Sequence, residues 1–140
     1  MTLSLMSVAV AGGQPADDVW GSKGQYCRMY DPSTVETVSG EVAAVRQFTP
    51  PGPGASGVRF TLTTAKGPIE VILGPGWFVE SQDFKLWPHD QVTVKGSRVA
   101  VEGHSTIIAA EVTKGPKTWK LRHHSGMPVW VPKSGLEGTG

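Results

Sequence analysis

The residue types best suited to metal chemistry lie near the C-terminal end of the sequence. His123, His124 and Met127 are close neighbours, and histidine and methionine are ligand types that copper binds. Adjacent residues on a strand point to opposite faces, so the two histidines share a metal only if they lie in a loop. Because no second cluster of cysteines or carboxylates accompanies them, we expect a solvent-facing turn that needs no cofactor. A copper or other metal site is the alternative.

A second chemical pattern is a group of basic residues beside an aromatic one. It surrounds Trp119 and comprises Lys114, Lys117, Lys120 and Arg122. Basic side chains interleaved with aromatic ones can hold single-stranded nucleic acid. However, Lys120 and Arg122 fall on one face of a strand and Trp119 on the other, an alternation that any edge strand shows. Nucleic-acid binding is therefore an alternative and not the leading interpretation.

Tryptophans are the strongest candidates for contact with a protein partner. Trp130 lies between Pro128 and Pro132, in a stretch predicted to be extended and poor in hydrogen bonds. Aromatic residues in such positions often anchor interfaces, so we expect Trp130 to be exposed and to dock on a partner. Trp77 and Trp119 are the further candidates. On this interpretation, Trp130→Ala weakens association and leaves the domain folded.

Composition excludes several classes of protein. The chain has 140 residues with 18 Gly and 11 Pro, which disfavours a helical bundle and favours a small β-rich domain. A net charge of +1 is not that of a strongly basic nucleic-acid binder. A single cysteine, Cys27, excludes an internal disulfide framework and a CxxCH haem attachment. No G-x-S-x-G or HExxH motif is present, so we expect no enzyme activity.

The elements that must position these residues are mainly strands. Alternating apolar residues and Gly/Pro turns predict one short helix over Trp77–Phe84 and six strands. The strands are predicted at 37–48, 58–63, 69–73, 91–101 with a bend at 96–98, 106–112 and 117–122. A shift of apolar parity between Val42 and Val45 predicts a β-bulge in the first strand. This order predicts an all-β, five- to six-stranded antiparallel Greek-key barrel of the OB type. The predicted core comprises Val58, Phe60, Leu62, Ile69, Val71, Leu73, Val92, Val94 and Ile108.

The ends of the chain differ from its middle. We predict a signal-like or disordered segment over 1–16, an extended lead segment over 17–35, the barrel domain over 36–132 and a flexible tail over 133–140. The apolar run Thr2–Ala11 is too short for a membrane span but suits the apolar part of an export signal. It predicts a periplasmic or secreted protein whose mature chain has no membrane span. A disordered or packed N-terminal tail is the alternative.

Several motifs in order resemble a family of small exported bacterial OB-fold proteins, some of which carry "DNA-binding" labels. They lie at Tyr30–Val42, Leu73–Trp77, Gly96–Arg98, Ile107–Val112 and Leu121–Trp130. Together they span about 100 of the 140 residues. The resemblance implies the fold and an export route, but no reaction. The pair His123–His124 departs from the acidic or polar pair that the resemblance implies at this point.

These observations favour a non-catalytic, exported binding module. The leading interpretation is a protein-interaction domain or accessory subunit of an envelope assembly. The alternatives are a single-stranded oligonucleotide-binding protein and a periplasmic metal-binding protein.

Overall fold

The computed structural model describes residues 18–131. The signal-like segment predicted over 1–16 and the tail predicted over 133–140 lie outside the described residues.

Six strands make up most of the described chain. In order, the elements are α1 (Gln25–Met29), a short 3₁₀ helix (Pro32–Thr34), β1 (Val35–Phe48), β2 (Gly57–Thr64), β3 (Gly67–Pro75), α2 (Gly76–Ser81), β4 (Gln91–Val101), β5 (His104–Lys114) and β6 (Lys117–Lys120). The all-β prediction with a short helix is confirmed. The fourth strand, predicted to bend at 96–98, is β4, which continues through a register shift between Lys95 and Gly96.

The strands pair into a ring. The sheet order is β3-β2-β1-β4-β5-β6, and an additional pairing joins β3 to β5. The ring thus contains five strands, with β6 attached to the end of β5. Five strands cannot alternate direction all the way round a ring, so at least one neighbouring pair must be parallel. That pair is β3–β5, over Glu70–Ile72 and Thr106–Ile108. Among the strands of residues 18–131 it is the one exception to the antiparallel pairing expected from the sequence, and membership of the OB class stays a prediction.

Strand alternation places the core inside this ring. All nine residues of the predicted core are buried, and Phe60, Leu62, Val71 and Ile108 are inaccessible to solvent. The predicted bulge is also confirmed, because the β1–β2 register shifts between Val42 and Ala44. A bulge reverses which face the later residues of β1 present. This shift places Val45 opposite the buried Phe60, on the face that β2 turns toward the core, although Val45 itself is 37% exposed.

Helix α2 is shorter than predicted. It ends at Ser81, where the Gln82 N–H donates to the carbonyl of Val79 at 3.3 Å and the Ser81 hydroxyl donates to that of Phe78 at 2.7 Å. Serine bonded to its own backbone in this way competes with continuation of a helix. Phe84 therefore lies in the loop after α2, where it is still buried. Across residues 18–131, neither helix has the length and apolar character needed to cross a bilayer.

The lead segment is part of the domain and is not extended. It contains α1, and Trp20, Tyr26 and Tyr30 are buried in the core. The Trp20 indole N–H donates to the carbonyl of Ala55 at 2.8 Å. Its ring centroid lies 4.8 Å from that of Tyr26 and 6.0 Å from that of Phe48. The domain therefore begins well before residue 36.

A substitution at Gly57 tests whether Trp20 packs against the strands. A Cβ there would overlap the Trp20 ring and approach Phe48 Cε1 to 2.9 Å. We expect Gly57→Ala to lower the free energy of unfolding by about 1–3 kcal/mol, the usual cost of overpacking. Urea denaturation measures it. Gly76→Ala is the control, because its Cβ would meet the nearest atom, Ser56 O, at an ordinary 3.5 Å. Equal stability of the two variants would contradict the docked position of Trp20.

Candidate functional site

An apolar groove of about 240 Å³ opens beside α2, and we call it the aromatic groove. Its floor is made by strand residues of the core and by Val79 of α2. One wall is the β1 stretch from Val45 to Gln47, and the other is the loop that follows α2. The lining residues are Val45, Arg46, Gln47, Val58, Leu73, Val79, Glu80, Phe84, Lys85, Leu86 and Trp87.

Two large apolar side chains are exposed at the groove. Among residues 18–131, the exposed large hydrophobic side chains are Val45, Trp77 and Trp87, and Trp87 is the most exposed at 62%. Val45 and Trp87 both line the groove. Trp77, a predicted partner-binding residue, is 46% exposed on α2, two residues before the groove-lining Val79. Exposed apolar surface of this kind is typical of a binding site.

Asp90 fixes the loop that carries Trp87. Its carboxylate accepts from the Trp87 backbone N–H at 2.8 Å and from Lys114 Nζ at 2.9 Å. The Lys114 ammonium also donates to the carbonyl of Lys85 at 2.8 Å. The Trp87 N–H bond and, after it, the Lys114 bond lower the pKa of Asp90 below its ordinary value. The ion pair between Asp90 and Lys114 thus holds the loop to β5.

Trp119 supports the groove from behind and does not form its exposed surface. It is half-buried, and its ring stacks on Phe84 with 4.4 Å between centroids. Its indole N–H donates to the carbonyl of Asp83 at 3.1 Å. Phe84 is a lining residue of the groove, so Trp119 acts through it.

The prediction that Trp130 is exposed is wrong. Trp130 is 9% exposed, and its indole N–H donates to the carbonyl of Trp20 at 2.8 Å. Its ring lies 5.1 Å from that of Phe78. Gly74 leaves room for it, because a Cβ there would lie 3.0 Å from the indole. The stretch predicted to be extended instead turns at Trp130, where the Val131 N–H donates to the carbonyl of Pro128 at 3.3 Å, so the chain folds back and Trp130 is a core residue.

The predicted basic strip does not form a free cationic surface. Lys114 pairs with Asp90 at 2.9 Å, and Lys117 pairs with Asp83 at 2.7 Å. Arg122 is buried, at 1% exposure, because the chain leaves β6 and turns inward through a bridge between Arg122 and Pro128. Lys120 alone of the four is both exposed and without an ion pair among the described residues.

The predicted metal ligands lie around a tight turn. The Gly126 N–H donates to the carbonyl of His123 at 2.8 Å, and the His123 N–H donates to that of Met127 at 2.8 Å. His124 is exposed at the tip of the turn, and His123 and Met127 are partly buried. Within residues 18–131, no group of three or more His, Cys, Asp or Glu side chains is arranged to hold a metal ion.

The sequence analysis did not select Trp87 or Val45. A signal for Trp87 was present, since Pro88-His89-Asp90 predicts a turn that leaves its neighbours on the surface. Val45 carries no comparable signal, because it shares a face with the buried Phe60 and is exposed only where the groove opens beside it.

The fold and groove define a small all-β domain with an aromatic surface site. A family model for the MamS/MamX magnetosome protein family matches residues 34–119, more than half of the chain. The chain belongs to the MamS/MamX magnetosome protein family. The match confirms neither the OB-fold nor the DNA-binding label of the resemblance drawn from the sequence motifs. A comparison with curated proteins returns no match.

The Asp90 contacts predict an acid-sensitive loop. A carboxyl whose pKa is lowered on folding contributes stability above its unfolded pKa, about 3.8, and loses it as pH falls through the lower folded pKa. We therefore expect the Trp87 amide to be protected from hydrogen exchange at neutral pH and to lose protection as the pH falls below 3.8 through the lowered pKa of Asp90. Asp90→Ala should remove that protection at neutral pH, and Asp31→Ala, which alters a distant carboxyl, should not. Retained protection in Asp90→Ala would contradict the assigned role.

Burial of Trp130 predicts the effect of removing it. Trp130→Ala leaves a large cavity and an unpaired carbonyl at Trp20, so we expect unfolding free energy to fall by about 3–5 kcal/mol. Trp77→Ala, on the surface, should change it by less than about 0.5 kcal/mol. Urea denaturation followed by circular dichroism measures both. An unchanged midpoint for Trp130→Ala would restore the exposed position predicted from the sequence.

Proposed function

We propose that this protein is a non-catalytic binding module that holds a segment of another protein in the aromatic groove. The observation that carries the proposal is the position of Trp87, which is largely exposed at the rim of an apolar groove and is held there by Asp90. A rigid exposed tryptophan beside a pocket is the arrangement found at energetic centres of protein interfaces.

The charges at the groove suggest the chemistry of the partner. Arg46 is paired with Glu70 at 2.8 Å, and Glu80 accepts a weak bond from Gln47 at 3.5 Å. Lys85 is exposed and forms no ion pair among the described residues. A partner segment with one or two large apolar side chains, flanked by a carboxylate that reaches Lys85, complements this surface.

The two alternative functions have less support. Lys114 and Lys117, half of the predicted nucleic-acid strip, are each neutralised by an aspartate, and Arg122 is buried. A single exposed lysine is a weak site for the phosphate backbone. The turn at His123–Met127 exposes His124, but it has no third ligand of the His, Cys, Asp or Glu type within residues 18–131.

The family name supports an accessory role in a magnetosome or other envelope assembly. We propose a periplasmic or otherwise exported location, on the basis of the apolar run Thr2–Ala11. A mature chain that begins between about Gly12 and Asp18 would support export. Intact Met1 on protein recovered from the cytosol would contradict it.

Cross-linking from the groove tests the binding function. A photo-reactive amino acid at position 45 should capture a neighbouring protein in the native cell, and the captured protein can then be purified. We expect the dissociation constant for the captured protein to rise at least tenfold with Trp87→Ala and with Lys85→Glu. The first substitution removes the proposed aromatic anchor, and the second removes the proposed ion pair. Lys66→Glu is the charge-matched control, since Lys66 lies on the β2–β3 turn outside the groove.

Three results would count against the proposal. One is capture of a second copy of this chain, which would make the groove a self-association surface. Another is equal affinity of wild type, Trp87→Ala and Lys85→Glu for the captured protein. The third is an equal loss of affinity in Lys66→Glu, which would show only a general charge effect.

A further inference from the structure

A second cavity, of about 290 Å³, lies where β6 leads into the C-terminal segment, and we call it the basic cavity. It shares no lining residue with the aromatic groove. Residues of β4, β5, the 3₁₀ helix and the C-terminal turn surround it. The lining residues with charged or nitrogen-bearing side chains are Lys95, Glu111, Lys120, Arg122, His123 and His124.

Arg122 is a buried cation in the wall of this cavity. Its Nη1 donates to the carbonyl of Gly126 at 2.9 Å, and its guanidinium carbon lies 5.2 Å from the Trp130 ring and 5.9 Å from the Tyr30 ring. Its Nε is buried without a hydrogen-bond partner, and it forms no ion pair, within the part of the chain that the structure describes. Burying a charge without a counter-ion raises the free energy of the folded state, so a bound anion beside Arg122 would be stabilising.

The other charges at the basic cavity add to that of Arg122. On neighbouring strands, Glu111 lies opposite both Lys95 and Lys120 in register. None of the six ion pairs among the described residues involves these three side chains. Three cations and one carboxylate leave a charge of +2 at the cavity wall. The rings of His123 and His124 supply further nitrogen donors.

We propose that the basic cavity binds a phosphate group as a dianion, with Arg122 as the fixed buried cation and Lys95 and Lys120 as the mobile ones. The charge of +2 matches the charge of about −1.5 to −2 that a phosphate monoester carries at pH 7. Guanidinium and ammonium groups are the side chains that proteins use for this ligand. A ligand with a single carboxylate would compensate only half of the +2 charge at the cavity wall.

The state of Arg122 agrees with this assignment. Burial lowers the pKa of its guanidinium to about 10, so the group remains a cation at neutral pH. Arg122, His123 and His124 lie beyond residue 119, where the family match ends. The inference therefore combines Lys95 and Glu111, which lie within the family match, with this chain's own C-terminal segment, and it shares no residue with the aromatic groove.

Titration of the full-length protein with inorganic phosphate tests the proposal. The readout is the Arg122 Nε–H resonance in ¹H–¹⁵N spectra, with ionic strength held constant by chloride so that screening does not change. We expect saturable shifts of this resonance. Lys95→Gln and Lys120→Gln should each weaken binding by roughly tenfold, the effect of losing one charge-assisted hydrogen bond. Lys66→Gln, which lies outside the basic cavity, should bind as wild type does.

Further ligands separate the sources of the phosphate. Glycerol 3-phosphate that binds at least as tightly as inorganic phosphate would indicate an esterified phosphate, and weaker binding would indicate the free ion. Absence of saturable binding to both would overturn the proposal, as would equal affinity of wild type, Lys95→Gln and Lys120→Gln. A short single-stranded oligonucleotide that binds more tightly than either ligand, and that loses affinity in Lys117→Gln, would also overturn it by assigning these charges to nucleic acid.

Discussion

The buried indole of Trp130 joins the segment that precedes the ring of strands to the segment that follows it. Its N–H donates to the carbonyl of Trp20, which lies 110 positions earlier in the chain, and the two rings meet edge to face at 6.4 Å. The same indole packs against Phe78 of α2 and against the guanidinium of Arg122. The helix beside the aromatic groove and the fixed cation of the basic cavity therefore rest on one side chain. Any displacement of Trp130 alters the support of both.

Strand positions were predictable from the sequence because they depend on local alternation. In β2, Phe60 and Leu62 point inward and Thr61 and Thr63 point outward, because successive side chains of a strand alternate between its two faces. The core residues of β2 could therefore be assigned from the sequence. Helix α1 was not predictable, since a five-residue helix of Gln25–Met29 has little stability alone and forms because Tyr26 is buried against Trp20. Its existence depends on tertiary contacts.

The site was less predictable for the same reason. The prolines beside Trp130 predicted an extended backbone, but residues 129–130 form a turn. The burial of Trp130 depends on Trp20 and Gly74, which are distant in sequence. Arg122 continues the alternation of an edge strand, yet the turn after it carries the chain inward. Lys114 and Lys117 could be assigned to one end of β5 and β6, but their aspartate partners come from the loop after α2. In each instance, contacts with residues distant in sequence decided whether the side chain is buried, exposed or ion-paired.

The 110-residue separation between Trp20 and Trp130 also bears on how the domain forms during synthesis. The ring strands β1 to β5 can pair once Lys114 has left the ribosome, but the back of α2 and the surface of Trp20 stay uncovered until Trp130 emerges. Contacts between distant parts of a chain slow folding, and exposed apolar surface on an incomplete domain favours aggregation. The emergence of the segment that carries Trp130 thus determines how long the nascent domain remains a substrate for chaperones.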